Sequence, residues 1–105
     1  MNRPKLLTIG AALVLGMTPA QAEDISAGEA MYAQSCASCH GREGRGMASF
    51  PSVAGQNADY IAQRLRQYRA GERVGANSAL MAPQARDLSD EDIANLAAYI
   101  SEAFQ

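Results

Sequence analysis

Cys36-Ala37-Ser38-Cys39-His40 is the stretch on which the reading of this chain turns, and it holds both cysteines and the one histidine of the 105 residues. Two thiols so spaced reach two vinyl groups along one edge of a porphyrin. The residue that follows is then set beneath the ring, where an imidazole nitrogen meets iron, which is the attachment pattern of c-type haem. Three other chemistries use cysteines at this spacing. A redox dithiol of the thioredoxin kind sits on a parallel sheet, and no strand pattern is present here. A structural zinc site takes four protein ligands, whereas two cysteines and a histidine fall short of that. A disulfide across two intervening residues closes a loop too small to restrain much. Haem attachment accounts for both thiols and the adjacent histidine together.

On either side of the motif the sequence divides into helical patterns and irregular stretches. Ser26-Ala27-Gly28-Glu29 reads as a capping box and predicts a helix running to about Ser35, with the haem motif at its end. Gly28 is costly inside a helix unless another backbone approaches it. A middle helix is expected after Asn57 and before Gly71, with Ile61, Leu65 and Tyr68 inward and Gly71 as a left-handed terminator. Arg64, Arg66 and Arg69 lie mostly off that stripe; the solvated face claims two of them and leaves one to reach the haem propionates. The last helix opens at Ser89, with Asp90, Glu91 and Asp92 favouring its positive end. Ile93, Leu96, Ala97, Ile100 and Phe104 then recur at helical spacing, a face that packs on the first helix. Residues 41–56 and 71–88 read as irregular, the second holding Met81 and Pro83. So much loop in a small domain is expected to wrap a ligand. The fold class is all-α: three main helices and irregular loops around one covalently attached haem.

The first residues read differently. Arg3 and Lys5, the apolar run Leu6–Met17 and Ala20-Gln21-Ala22 form the three parts of a secretory signal, with cleavage expected after Ala22. As a membrane anchor the run is short, about 18 Å of helix against ~30 Å of hydrocarbon. Residues 23–105 then form the single domain. Of the nine basic residues, Arg3 and Lys5 leave with the signal; the rest are all arginine and are outnumbered by 11 acids. Such a balance excludes nucleic acid as a partner. No later apolar run is long enough to span a bilayer. Tryptophan is absent and phenylalanine occurs twice, so a domain this small needs another source of core, which a haem supplies.

Several further elements carry a family resemblance: Phe50-Pro51-Ser52-Val53-Ala54-Gly55-Gln56, Tyr60-Ile61, Tyr68-Arg69-Ala70-Gly71, Met81-Ala82-Pro83 and Leu88-Ser89-Asp90-Glu91-Asp92-Ile93. With the haem motif, they make residues 24–105 similar to class I cytochromes c, and most to small bacterial cytochromes of the c4 and c5 type. The resemblance implies the cytochrome c fold, with Cys36 and Cys39 bonded to one haem c and His40 as proximal iron ligand. It implies a hydrogen bond from the free nitrogen of that imidazole to the Pro51 carbonyl, and a crossing of the first and last helices at Gly28 and Tyr32 near Tyr99. For the sixth ligand it points to Met81. Met31 lies on the first helix, where methionine is usually core, and Met47 follows His40 too closely to round the porphyrin. Iron held by histidine and methionine has no vacant position and suits electron transfer. The implied function is a monomeric, non-enzymatic, soluble one-electron carrier in a periplasmic respiratory or related chain. Its redox donor and acceptor bind transiently, without a membrane span after signal removal. The alternative is a haem domain dedicated to a partner oxidoreductase, with an open iron.

Overall fold

A computed structural model describes residues 23–105, together with Asn2, Pro4 and Gly10. Apart from those three positions, the expected export signal lies outside the described residues. The elements are α1 (Ile25–Met31), a π-helical turn (Tyr32–Cys36), α2 (Ala37–His40), α3 (Ala58–Arg69), α4 (Ser78–Ala85) and α5 (Asp90–Ala103). Among the described residues there is no strand, only an isolated bridge between Met47 and Phe50. None of their helices is long and apolar enough to cross a membrane.

The first helix departs from its expected start. Its cap is Asp24, whose side chain accepts from the Ala27 N–H at 3.0 Å, so the Ser26–Glu29 capping box is not formed. Aspartate caps as well as serine does, and here a distant contact decides between them. The Asp24 N–H donates to Asn95 Oδ1 at 2.8 Å, fixing the entry of α1 against α5. The other ends follow the sequence reading. Asn57 caps α3 by accepting from the Tyr60 N–H at 2.8 Å. Gly71, at φ +75°, closes that helix with bonds from Gly71 N to Tyr68 O and from Glu72 N to Gln67 O, a Schellman ending. Ser89 and Asp92 exchange reciprocal bonds of 3.0 Å at the start of α5.

A second departure is α4. The segment 71–88 is not wholly irregular: it contains a two-turn helix that includes both Met81 and Pro83. Proline in a helix removes one N–H and crowds the carbonyl four residues back, here Ala79. In so short an element only that one bond is lost, and the helix is held by what it covers. Ala85 is fully buried on its inner side.

The core lies where α5 meets α1 and α3. Tyr32, Ile61, Leu96, Ala97 and Ile100 form it. At the α1–α5 crossing a Cβ on Gly28 would overlap the Asn95 carbonyl and stand 2.9 Å from Tyr99 Cβ. The two backbones therefore touch, which accounts for a glycine in mid-helix. Beside the crossing, Tyr32 packs on Tyr99 and Phe104 with ring centroids 5.7 and 5.1 Å away. Its hydroxyl donates to the Gly41 carbonyl at 2.6 Å. Burial, aided by Cys36 and Tyr99, pushes its phenol from 10.0 up to about 12.

Two outcomes follow from this core. Gly28→Ala gains at most about 1 kcal/mol of helix propensity against an overpacking cost of roughly 1–3 kcal/mol. The net loss is expected as a lower melting temperature of the protein, by several degrees. The second concerns alkali. Below the unfolded phenol's value near 10 both states are neutral at Tyr32 and its contribution is complete. Between there and about 12 the unfolded chain ionises first, so stability falls as pH rises. Denaturant unfolding at pH 8 and pH 11 should show this loss in wild type and a smaller one in Tyr32→Phe.

Candidate haem site

Between the helices lies a cavity of about 550 Å³, within the ~300–1,000 Å³ range of cofactor sites. One side is the segment Cys36–His40; Met81 enters from α4, and Leu65 and Leu96 line it from α3 and α5. No Asp, Glu, Lys or Arg side chain is among the lining residues. Every site residue expected from the sequence, namely Cys36, Cys39, His40, Pro51 and Met81, lines this one cavity.

His40 closes α2. Its carbonyl accepts from the Gly46 N–H at 2.7 Å, and Gly41 turns the chain away at φ +86°. Its Nδ1 stands 2.7 Å from the Pro51 carbonyl oxygen. A carbonyl only accepts, so Nδ1 carries the proton and donates, which leaves the Nε2 lone pair for a metal. Gly46 makes this approach possible. A Cβ there would overlap the Phe50 carbonyl and reach within 2.9 Å of the Pro51 carbonyl carbon.

The two cysteines are half-buried and not joined to one another. Burial pushes the Cys36 thiol from 9.0 up to about 11, the opposite of the lowered value that a redox-active dithiol needs. With no sheet among the described residues either, the thioredoxin-type reading loses both its supports. Nor does a group of three or more His, Cys, Asp or Glu side chains gather among those residues as a cage for a bare ion. The donor set instead fits an iron porphyrin. Two thiols share one wall, an oriented imidazole offers a free nitrogen, and a soft thioether comes from another element, all around an apolar space.

The other methionines separate clearly. Met31 lines the cavity from α1 and also packs against the core, whereas Met47 lies outside the cavity and is 49% exposed. Among the described residues, no arginine lines the cavity. Arg69 donates to the Leu88 carbonyl at 3.1 Å and pairs with Asp90 at 2.8 Å, tying α3 to the start of α5. Arg64 lies over the Tyr60 ring and bonds its hydroxyl at 3.2 Å. Tyr68, expected inward, lines the cavity, while sequence reasoning missed the neutral polar groups Asn77 and Ser78 on its wall, which carry no motif of their own. It also missed the bond from the Gly55 N–H to the Phe104 carbonyl at 2.7 Å, which ties the chain end to the loop bearing Pro51.

The comparisons with known proteins agree with this geometry. The sequence profile of the cytochrome c family matches residues 25–103. Cytochrome c-554(548) of Halomonas halodenitrificans is 48% identical over 81 residues, which cover 76% of this chain and 96% of that protein. A thiosulfate dehydrogenase electron acceptor of Stutzerimonas stutzeri is 39% identical over 67% of this chain and 33% of its own length. Among solved structures, the cytochrome c4 of Acidithiobacillus ferrooxidans superposes with a TM-score of 0.66 at 33% identity, covering 73% of this chain and 48% of that one. This chain therefore spans about half of a cytochrome c4 and nearly all of the shorter relative. The cavity, its donors and these matches lead to one conclusion: the chain belongs to the cytochrome c family and carries covalently bound haem c.

Proposed function

We propose that this protein is a single-haem electron carrier, exported to the periplasm, that passes one electron at a time between a donor and an acceptor. In this reading Cys36 and Cys39 would form the thioethers, and His40 and Met81 would hold the iron. The observation that carries it is that an oriented imidazole and a thioether from different elements line one charge-free cavity. The bound haem supplies a one-electron couple and the chain's residues set its environment.

His40 is held by its bond to Pro51, which fixes the ring and raises its basicity. The thioether of Met81 favours ferrous iron and raises the potential relative to a second imidazole. An apolar wall without charged side chains penalises the extra positive charge of ferric iron and works in the same direction. With His40 and Met81 both given to the iron, no ligand position would remain for a substrate, which supports a carrier rather than an enzyme.

The relative named as an electron acceptor of thiosulfate dehydrogenase supports a dehydrogenase as one class of donor. Docking is assigned to the cavity mouth, where Leu80 lines the cavity and is still 59% exposed. Electron-transfer encounters bury little surface, under about 1,200 Å², so an uncharged rim of this kind is sufficient for a transient complex.

The wild-type protein should give a pyridine haemochrome of one haem per chain, and its reduced Soret band should be unmoved by carbon monoxide. Met81→Ala should bind carbon monoxide and show a lower potential, by a substantial fraction of the ~0.8 V that axial ligands span. A wild-type protein that takes up carbon monoxide would overturn the two-ligand assignment. Electron-transfer rates with a physiological donor should vary less than about threefold with ionic strength, whereas charge steering gives tenfold or more. Stopped-flow kinetics across a salt series make that distinction.

A further inference from the structure

Tyr32 carries a hydroxyl that the proposed function has not used. Its ring alone satisfies the core, being 2% exposed and packed on Tyr99 and Phe104, and phenylalanine would fill that space equally well. The hydroxyl is an addition with one partner, the Gly41 carbonyl at 2.6 Å. Gly41 directly follows His40. The peptide groups behind the imidazole are thus held twice, by Gly46 N–H on the His40 carbonyl and by Tyr32 on the next.

The opposite end of the His40–Pro51 bond is governed by the same aromatic cluster. Phe104, 5.1 Å from Tyr32 between centroids, lies so close to Gly44 that a Cβ there would be 2.6 Å from its Cδ2. The Gly44 carbonyl accepts from the N–H groups of Val53 and Ala54 at 2.7 and 3.1 Å, just beyond Pro51. One cluster therefore sets the donor's backbone through Tyr32 and the acceptor's loop through Phe104.

From this we infer that Tyr32 is a positioning residue for the axial imidazole: its hydroxyl, acting through Gly41, holds His40 so that the ring keeps its bond to Pro51. The inference rests on the reading of His40 as iron ligand. A strong bond at Nδ1 makes the imidazole a better donor and stabilises ferric iron. Loss of the hydroxyl should lengthen that bond and shift the potential upward.

The test uses the haem-loaded full chain and two variants. Tyr32→Phe removes only the hydroxyl; Ile93→Val trims a buried methyl from α5 and serves as a control for general loosening. Voltammetry reads the potential, and NMR of the reduced protein reads exchange of the His40 Nδ1 proton. Tyr32→Phe should show an upward shift in potential and exchange faster by roughly three- to tenfold, as expected for one weakened hydrogen bond. Ile93→Val should lose stability and change neither. The inference is overturned if Tyr32→Phe matches wild type in both readouts, or if Ile93→Val moves them equally. Either result, with a normal wild-type haem spectrum, leaves the carrier function standing. A wild type whose iron is not bound by His40 would end both.

Discussion

Where Gly28 of α1 meets Asn95 of α5, the two helix backbones leave no room for a Cβ. Nothing larger than hydrogen fits there, and the contact fixes how the two helices cross. Around it the Asp24 N–H reaches Asn95 Oδ1 and Tyr32 reaches Tyr99 and Phe104. Since α1 runs through a π-helical turn into α2, the crossing also sets where Cys36, Cys39 and His40 stand. A small domain with few aromatic residues thus uses one tight contact both to close its core and to aim its cofactor-binding segment.

The π-helical turn at Tyr32–Cys36 matters to that aim. It adds a residue to the turn, with the Ala37 N–H bonding back to the Tyr32 carbonyl, so the helix changes phase between its two tasks. Tyr32 stays in the core while the haem motif that follows lines the cavity. Such single π turns recur at functional sites because they re-aim side chains without breaking the helix.

Much of this could be read from residues alone, for physical reasons that differ from place to place. The Cys36–His40 motif is local chemistry, and its spacing carries the meaning. Gly71 and Ser89 are end signals whose geometry depends on a few neighbours, and both act as their types suggest. Gly28 was legible because a glycine in mid-helix demands an explanation from outside the helix. The cap of α1 was not, because Asn95, 71 residues away from Asp24, favours that residue over Ser26. Helix α4 was hidden for a related reason. Its residues Met81 and Ala85 line the cavity, the short segment lacks a clear amphipathic stripe, and Pro83 reads as a breaker. The bond between Tyr32 and Gly41 had no sequence signal, since it is set by the helix crossing.

The central claim is that one iron is bound by an imidazole on α2 and a thioether on α4 in an uncharged cavity. X-ray absorption at the iron edge of the loaded protein, in both oxidation states, addresses it most directly. The account predicts one sulfur ligand among nitrogen donors in each state, with the sulfur lost on Met81→Ala and little change in bond lengths between states. An iron shell without sulfur in the wild type, or a sulfur that survives the substitution, would contradict it.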